Sequence, residues 1–592
     1  MEPQTHSTNS GQAKICQNCK QEFTIEPEDF VFYDKIKVPP PTFCRECRMQ
    51  RRFAYRNERT LHRRKCAITG KDIISCFAPD APFNIIDRDL WWGDSWDPLA
   101  SGRDYDFQNS FFEQFRKLME ETPMPALFIG KCINTKYGNH IGEFKDSYLV
   151  SASWIGENIM YAARCNACKN SLDMFATVEC EFCYGDTSCI KCNNVHFSEH
   201  AVACSSSAFL YDCKGCSDCF LSANLRNRQY CFMNEQLSKE EYKKRITEYD
   251  IRTWSGLEKA KTVFARVKDN ALRRYAVIVN AQNVTGDNIT NATNLRYCFD
   301  VANGIKDCRY LTNVIDRVED AYDGHGIASL TTGLEMIDTG DGGARCFFTA
   351  TVWGSHDMWY SYNCHSSHDC FGCIGVRKKS YCIFNKQYSK EEYERILPRI
   401  IEHMNAMPYV DSKGRTHGFG EYFPIKLSPF AYDETIAQDY FPLSQTEIEK
   451  NGWNFKPIQQ SQYAVTKHAS DLPDSIEDVN DSILKEIIEC EICKRAFRIL
   501  EDELTRLRQF GIVLPRRCFE CRHHERFLTV NSPRLYHRTC QCAGAQSGNS
   551  IYQNTATHAH GTKPCTTEFE TSYAPDRPEI VYCEQCYQNE VA

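Results

Sequence analysis

The chain has 592 residues, of which 34 are cysteine, and a formal net charge of −8. This length holds several domains, and the acidic balance excludes a globally basic protein. The start, Met1 to Gln12, is polar, and no run of eighteen apolar residues occurs. We therefore expect no secretion signal, no membrane span and a cytoplasmic location. In such a chain, abundant cysteines favour metal sites or buried thiols over disulfides.

The N-terminal module, which we place at residues 13–100, contains two CxxC motifs. Cys16 with Cys19, and Cys44 with Cys47, can each turn two thiolates toward one point. Two such knuckles supply a closed tetrahedral set of four thiolates, which suits structural zinc and leaves no open position for catalysis. We predict a zinc ribbon here, and we assign no catalytic residue.

A basic stretch follows the second knuckle. From Arg45 to Lys65 there are nine Lys or Arg against two Glu, with aromatic residues between them. Arginines near stacking aromatics can follow a phosphate backbone, so we predict nucleic-acid contacts at this surface. Two alternatives stay open: a solvated face, and ion pairs with the acidic stretch from Asp87 to Asp97. The predicted phosphate-binding residues are Arg48, Arg51, Arg52, Arg56, Arg63 and Arg64.

Residues 101–132 are predicted to form a capping helix and a connector. Phe111, Phe112, Phe115 and Leu118 recur at helical spacing between residues 108 and 122. We expect this helix to cover the first open edge of the repeats that follow, because an uncovered strand edge invites aggregation.

Two repeat arrays with a twelve-residue period follow, at residues 133–235 and 276–386. A short fixed period with strand-sized apolar groups indicates a solenoid. The second array keeps this step from Cys298 to Cys382, and its closing segment matches that of the first at a displacement of 151. In the first array, the twelve-residue step passes through Cys168, Cys180, Cys192, Cys204 and Cys216, and Cys165, Cys189 and Cys213 step by twenty-four.

The size of one coil is open at this stage. The twenty-four-residue alternation favours two strand-and-turn units per coil, so we predict a mainly β chain with a duplicated parallel β-helix of twelve-residue half-coils. A narrow coil of twelve residues is the alternative. Cysteine is small and among the most buried residues, so we interpret the array thiols as interior filler in preference to metal ligands or redox pairs. Most of the array histidines His196, His200, His325, His365 and His368 are expected at turns or on the surface.

Helical segments follow both arrays, at residues 236–275 and 387–480. Ser238 and Ser389 are predicted N-caps, with Glu241 and Glu392 as their capping-box partners. These segments are the predicted helical caps. An aromatic-rich connector follows the second one, and we expect it to pack on the solenoid.

The C-terminal module, residues 481–592, repeats the ribbon at a displacement of 474. Its first ligand set is Cys490, Cys493, Cys518 and Cys521. Its second set is Cys540, Cys565, Cys583 and Cys586, with Cys542, His558 and His560 as possible substitutes. In the N-terminal copy, the second set corresponds to Cys66, Thr69, Asp87 and Leu90, so we predict no metal there. We expect three Zn²⁺ ions per chain.

Several segments carry a family resemblance. Both first ribbons resemble the probable zinc-ribbon domain family, through their CxxC-x-x-x-F opening and CxECR closing knuckle. WWGDSWDPLASGRDYDF, GEYFPIKLSPFAYDETIAQDYFP and FETSYAPDRPEIVYCEQCY resemble segments of uncharacterised zinc-ribbon plus β-helix proteins of candidate-phyla bacteria. The resemblance implies a bacterial protein with this architecture, and it implies no activity.

These features favour a zinc-binding solenoid that acts as a scaffold or binding protein. RNA is the leading predicted partner because of the basic stretch, and a protein partner is the other. The rival hypotheses are a structural subunit of a larger assembly and a carbohydrate-active β-helix enzyme. The acidic residues nearest to an enzymatic cluster are Asp316, Glu319, Asp320 and Asp323.

Overall fold

The computed structural model describes residues 11–457, 463–544 and 552–591. It contains two compact units, each built from two separate stretches of sequence. Unit 1 comprises Met1–Leu127 and Ile278–Pro457, and unit 2 comprises Phe128–Val277 and Ile458–Ala592. We call residues 129–233 array 1 and residues 278–384 array 2. Unit 1 therefore combines the N-terminal ribbons with array 2, and unit 2 combines the C-terminal ribbons with array 1.

In array 1, parallel pairing joins each residue to the residue twelve positions later. Asn193 pairs with Ser205, and Ala208 pairs with Phe220. One coil therefore contains twelve residues. The predicted half-coil is wrong, and the alternative of a narrow twelve-residue coil is correct. The strands of array 1 are Asn139–Lys145, Tyr148–Ala163, Asn166–Leu172, Asn193–His196, Ser205–Tyr211, Phe220–Ala223 and Cys231–Phe232.

The narrow coil follows from the backbone. Every third residue of the array has a left-handed conformation, as at Arg164 (φ 56°), Ala167 (φ 54°) and Asn170 (φ 49°). Each of these residues turns the chain, and four turns close one coil of twelve residues. The twenty-four-residue step of Cys165 and Cys189 has another origin: the position between them on the same interior column holds Thr177, which is also buried.

Array 2 has the same parallel ladder with one change of register. Near its end, Ala344 pairs with His356 at an offset of twelve, whereas Lys306 pairs with Glu319 at an offset of thirteen. The predicted uniform step from Cys298 to Cys382 is therefore interrupted by coils with one extra residue. The strands of array 2 are Ile278–Ile315, Val318–Trp353, His356–Trp359, His368–Phe371 and Ser380–Ile383.

Small side chains fill much of the interior of array 1, whereas the interior of array 2 also holds larger aliphatic side chains such as Leu295, Ile305 and Met358. From Cys165 to Cys231, every cysteine of array 1 lies at the inward position that recurs every third residue. Serine at such a position satisfies two backbone groups: Ser207 Oγ donates to the Ser205 carbonyl (2.7 Å) and accepts from the Cys219 N–H (3.0 Å). A thiol makes the first of these contacts more weakly, as Cys192 Sγ does with the Ile190 carbonyl (3.5 Å).

The array thiols are poor candidates for metal chemistry. Burial raises the pKa of both Cys298 and Cys346 to about 12, so these groups stay protonated at neutral pH. Within the described residues, the groups of side chains that converge closely enough to hold an ion include no array cysteine. The structure is consistent with the thiols as filler.

Three of the array histidines for which turn or surface positions were expected, His196, His325 and His365, are buried. His196 in array 1 and His365 in array 2 are both almost inaccessible to solvent. Burial lowers the pKa of His196 to about 4 and that of His365 to about 3, because the imidazolium loses its hydration. Both rings are therefore neutral in the folded protein near pH 7.

The remaining elements of unit 1 surround array 2. The Phe111–Glu121 helix was expected to cover array 1, but Phe111 packs on Tyr360 and Phe384 of array 2, with ring centroids 5.2 Å apart in both pairs. The aromatic connector packs there as predicted, since Gly420 N–H donates to Tyr360 Oη (2.8 Å). The α-helices of unit 1 are Pro27–Ile36, Arg45–Phe53, Arg88–Trp92, Phe111–Glu121, Lys390–Ala406, Ile436–Tyr440 and Gln445–Lys450.

Unit 2 has a corresponding set of elements. Its α-helices are Lys239–Ile246, Trp254–Asp269, Glu501–Phe510, Phe519–Phe527 and Glu584–Val591. Ser238 and Ser389 are N-caps as predicted, accepting from the backbone N–H of Glu241 and Glu392. The reciprocal bond of the predicted capping box is given for Ser389, whose N–H donates to Glu392 Oε2 at 3.1 Å. Among the helices of the described residues, none is both long and apolar enough to cross a membrane.

Four short hairpins carry the opening knuckles of the ribbons. They are Gln12–Ile15 with Glu22–Ile25, His62–Lys65 with Asp72–Ser75, Ile488–Glu489 with Ala496–Phe497, and Tyr536–Thr539 with Glu568–Thr571. All four are antiparallel, so each ribbon of both units begins in the same way.

Replacement of Cys192 tests the narrow interior. We expect Cys192→Phe to lower the free energy of unfolding by about 1–3 kcal/mol, because extra volume in a packed core forces strain. Cys192→Ser should cost less, because serine occupies equivalent inward positions in the same array. Urea denaturation of the whole chain measures both. Equal stability of the two variants would mean that the interior is wider than the twelve-residue register implies.

The buried imidazole of His196 predicts loss of stability in acid. Its folded-state pKa (about 4) lies below the value near 6.5 expected in the unfolded chain. The stabilisation is complete above pH 6.5 and is lost as the pH falls toward 4, because the unfolded chain binds a proton that the folded chain does not. Between pH 7 and pH 5, wild type should lose about 2 kcal/mol more of unfolding free energy than His196→Gln. An identical pH dependence of both proteins in urea denaturation contradicts the prediction.

Candidate metal centres

The first centre lies in the N-terminal ribbon. Its four thiols, Cys16, Cys19, Cys44 and Cys47, converge so that their sulfur atoms all lie within 4.8 Å of one another. Cys19 Sγ and Cys44 Sγ are 3.7 Å apart. Tetrahedral zinc with Zn–S bonds of about 2.3 Å requires sulfur separations of roughly 3.8 Å. The thiols are thus spaced as ligands of one tetrahedral ion.

The C-terminal ribbon repeats this geometry. Cys490 Sγ lies 3.8 Å from Cys521 Sγ, and Cys493 Sγ lies 3.6 Å from Cys518 Sγ. The duplication extends to the backbone: Cys518 N–H donates to Cys490 Sγ at 3.3 Å, as Cys44 N–H does to Cys16 Sγ at the same distance.

Hydrogen bonding prepares one of these thiols for metal binding. Burial opposes ionisation of Cys493, but hydrogen bonds from the side chain and backbone of Arg495 outweigh it and lower the pKa of Cys493 to about 6. A thiolate is the form that binds a metal ion.

The third predicted set also converges. Cys540, Cys565, Cys583 and Cys586 meet the same distance limit, and Cys583 N–H donates to Cys540 Sγ at 3.2 Å. A second group of donors, Cys542, His558 and His560, lies against this set and shares Cys586 with it. All twelve ligands predicted from the sequence are thus brought together in three groups of four.

The N-terminal ribbon around Cys66 keeps the fold of its C-terminal counterpart with fewer thiols. Asp87 N–H donates to Cys66 Sγ at 3.4 Å, in the manner of Cys583 N–H and Cys540 Sγ. This contact places a carboxylate residue where the C-terminal copy has a ligand cysteine, in agreement with the alignment of Asp87 with Cys583.

The predicted phosphate-binding surface is wrong for four of its six arginines. Arg48, Arg51, Arg52 and Arg56 are buried, with side chains at most 4% exposed. They belong to the Arg45–Phe53 helix and the residues just after it, which pack against array 2 and the aromatic connector. Their partners are Asp323, Glu335, Glu421 and Glu58, and not the predicted acids between Asp87 and Asp97.

The other two arginines lie nearer the surface. Arg63 is exposed. Arg64 is half-buried and donates to the carbonyls of Ala78 (2.9 Å) and Phe83 (3.2 Å). Neither side chain belongs to the buried network of the Arg45–Phe53 helix.

Two arginines of the ribbon helix hold one aspartate of the array. Arg48 Nη2 lies 2.9 Å from Asp323 Oδ2, and Arg52 Nη1 lies 3.1 Å from Asp323 Oδ1. Positions four residues apart share one face of a helix, so both guanidinium groups reach the same carboxylate. Asp323 is fully buried at a left-handed turn of array 2 (φ 57°). We call this arrangement the arginine clamp.

Unit 2 contains a second arginine clamp. Arg522 Nε and Arg526 Nη2 lie 2.9 Å and 3.0 Å from the two carboxylate oxygens of Asp173. Asp173 is also buried at a left-handed turn (φ 56°), and its two arginines are displaced by 474 from those of unit 1. The repeated i, i+4 arginines were a visible signal in the sequence, which we assigned to a surface.

Further carboxylates balance the charge of the clamps. In unit 1, Glu335 pairs with Arg51 and Arg52, and Glu421 pairs with Arg51. In unit 2, Glu503 accepts from Arg522 (3.1 Å) and from Tyr161 Oη (2.8 Å). Burial raises the pKa of both Glu335 and Glu503, and the neighbouring arginines oppose that rise. Buried charges persist because they are paired in this way.

The acids considered for carbohydrate chemistry have separate partners. Asp323 belongs to the arginine clamp. Asp320 pairs with Lys35 at 2.8 Å, and Glu319 pairs with Lys306 at 3.0 Å. Asp316 accepts from Ser329 Oγ at 2.7 Å. Each of the four acids thus has a partner in array 2 or in an element packed on it.

Comparisons with known proteins give no assignment. No protein-family model matches the chain, and no curated protein sequence matches it. The nature of the centres therefore depends on their donors. Sets of four thiols, or of thiols with imidazoles, at tetrahedral spacing could hold a soft or borderline divalent ion.

Removal of the clamp charge tests its energetic role. We expect Asp323→Asn to lower the unfolding free energy of unit 1 by about 3–5 kcal/mol, because Arg48 and Arg52 lose the buried carboxylate that they share. Asp357→Asn is the matched control, since Asp357 also occupies a left-handed turn of array 2 but pairs with Arg345 at the surface. The control should cost about 1 kcal/mol or less. Urea denaturation followed by hydrogen exchange of the Arg45–Phe53 helix measures both, and equal losses contradict the clamp.

Proposed function

We propose that this chain is a zinc-stabilised scaffold or binding protein, in which zinc ribbons hold two parallel β-helices formed by the arrays. One observation carries the proposal: in both units, the closing knuckle of a ribbon leads directly into the helix that forms the arginine clamp. Metal binding and array packing are thereby joined in one element. The resemblance to zinc-ribbon plus β-helix proteins of bacteria agrees with this proposal.

The link between zinc and clamp is short. Cys44 is the N-cap of the Arg45–Phe53 helix and Cys47 lies in its first turn, so an ion bound to both fixes the start of the helix. Arg48 and Arg52 follow on that helix, and Cys518 and Cys521 stand in the same relation to Arg522 and Arg526. Structural zinc can contribute roughly 10–16 kcal/mol of apparent binding free energy to folding.

The donors favour a structural role for the metal. Zinc bound by four thiolates has no open position for a substrate or an activated water. The four acids considered for carbohydrate chemistry each have a partner within unit 1, so their contacts do not favour the carbohydrate-enzyme alternative. A structural subunit of a larger assembly remains compatible with the scaffold, because a scaffold acts through its partners.

The partner proposal changes with the burial of the arginines. Four of the six predicted phosphate contacts are internal, so RNA loses its leading place to a protein partner. None of the thirty-four cysteines, all of which lie among the described residues, forms a disulfide. A chain so rich in cysteine suits a reducing compartment, and we propose the cytoplasm.

Removal of zinc should destabilise the helices that carry the clamp arginines before the arrays unfold. We expect chelation under reducing conditions to increase hydrogen exchange in the Arg45–Phe53 and Phe519–Phe527 helices, because each helix loses the ion that fixes its first turn. Mass spectrometry of the whole chain reports this directly. Unchanged protection of both helices in the metal-free protein contradicts the proposal.

Single-site variants supply the controls. Cys19→Ser should affect the Arg45–Phe53 helix alone, and Cys493→Ser the Phe519–Phe527 helix alone, because the two centres lie in separate units. Replacing Cys189 and Cys192 together by serine should leave the zinc content unchanged. A loss of zinc in that double variant would assign metal to the array and remove the basis of the filler interpretation.

A further inference from the structure

The C-terminal ribbon holds more metal donors than one ion can use. Five thiols and two imidazoles form two overlapping groups of four. The first group is Cys540, Cys565, Cys583 and Cys586, and the second is Cys542, His558, His560 and Cys586. In each group the donor atoms lie within 4.8 Å of one another, which matches the separations of tetrahedral zinc ligands.

Cys586 completes both groups. Without it, the second group has three donors of its own, and tetrahedral coordination needs four. His560 Nε2 lies 3.3 Å from Cys586 Sγ and 3.4 Å from Cys542 Sγ, so the second group closes around the same sulfur that the first group uses. A thiolate has lone pairs enough to bind two ions at once. Seven side chains thus supply eight ligand positions.

Both imidazole rings are oriented for metal binding. His558 Nε2 is held by Glu590 Oε1 at 2.7 Å, which leaves Nδ1 facing Cys542 Sγ at 3.6 Å. His560 Nδ1 is held by the Lys563 carbonyl at 2.6 Å, which leaves Nε2 facing the two sulfurs. The nitrogen that meets an acceptor carries the proton, so the opposite nitrogen of each ring presents a lone pair.

The carboxylate behind His558 is itself fixed. Glu590 Oε2 accepts from Tyr552 Oη and from the Thr555 N–H, both at 2.8 Å, and Oε1 accepts from the Ala556 N–H at 3.1 Å. Its side chain is 0% exposed, and that of His558 is 2% exposed. A buried carboxylate that orients a histidine through its outer nitrogen is the usual support of a metal-binding imidazole.

The sulfur of Cys542 has a similar support. Asn554 Nδ2 donates to Cys542 Sγ at 3.1 Å, and Tyr582 Oη in turn donates to Asn554 Oδ1 at 2.7 Å. A hydrogen bond to sulfur favours the thiolate, which is the ligand form. All three donors that belong to the second group alone are therefore held in place by other side chains or backbone groups.

We propose that this ribbon binds two zinc ions joined by the Cys586 thiolate. One ion is held by Cys540, Cys565 and Cys583 with Cys586, and the other by Cys542, His558 and His560 with Cys586. The chain then binds four zinc ions, and not the three expected from its CxxC motifs.

Electrostatics favours the second ion. Four thiolates together with one divalent ion have a net charge of −2. Ionisation of the neighbouring Cys542 would change the net charge of the cluster to −3. A second divalent ion, bound with two neutral imidazoles, brings the whole cluster to −1. The segment that makes the C-terminal copy longer than its N-terminal counterpart contains His558 and His560, and Cys542 lies directly beside it, so the additional donors accompany this insertion.

Cadmium-113 substitution tests the bridge in the whole chain. We expect four cadmium ions per chain and four ¹¹³Cd resonances, two of which show scalar coupling to each other through the shared sulfur. One of the coupled pair should have the shift of a four-sulfur site and the other that of a site with two sulfurs and two nitrogens. Three resonances, or four without a coupled pair, overturn the proposal, and neither result affects the zinc-dependent clamps.

Variants locate the second ion. The double variant Cys542→Ser, His560→Asn should bind three ions by elemental analysis, lose the coupling and retain three resonances. Glu590→Leu should weaken the second ion about 10–100-fold in a chelator competition, because His558 loses its orienting carboxylate. Glu568→Gln is the matched control, since Glu568 lies at the surface of the same ribbon, and it should leave all four affinities unchanged. If the variants do not fold, the metal count and coupling of the wild-type chain decide.

Discussion

The interaction on which each unit depends is a buried aspartate held by two arginines from a ribbon helix. Asp323 and Asp173 lie at left-handed turns of their arrays, where a carboxylate without a partner would be costly to bury. The two guanidinium groups offset that cost. They are themselves buried cations, so each of them needs the carboxylate as a counter-charge. Packing of the ribbon and burial of the array turn therefore require each other. In each unit, a four-cysteine group lies at the start of this helix, directly before the first arginine of the pair.

The arrays impose a second constraint, which is the width of the coil. A left-handed residue at every third position costs roughly 1–2 kcal/mol for most side chains, and less for Asn and Asp. Array 2 uses Asn or Asp at many of these positions, including Asn283, Asn294 and Asp320. Backbone pairing between coils offsets the remaining cost. Four inward side chains per coil leave a narrow interior, which cysteine, serine, threonine and alanine fill together with valine, leucine, isoleucine and methionine.

The same residue type thus has two unrelated roles in one chain. In the arrays, cysteine is a small interior side chain, and burial raises the pKa of thiols such as those of Cys298 and Cys346 to about 12. In the ribbons, hydrogen bonds from backbone N–H groups and from side chains such as Arg495 and Asn554 favour the thiolate. CxxC spacing occurs in both settings, because inward array positions also recur every third residue. Spacing alone therefore does not distinguish a ligand from filler, whereas convergence in space does.

The sequence by itself determined the local features of this protein. It identified the three four-cysteine groups, the duplication at 474 residues, the twelve-residue period and the capped helices, because each depends on residues close together or on a regular spacing. Only the tertiary structure decided the size of the coil, the partners of the buried arginines and the place of Cys586 in two donor groups. A twelve-residue period in the sequence fits both a complete coil of twelve residues and half of a larger coil. Only the register of strand pairing distinguishes the two. From the sequence, an arginine is expected at the surface, because its buried counter-charge can lie far away along the chain. Arg48 and Asp323, for example, are 275 positions apart, and only the fold brings them together.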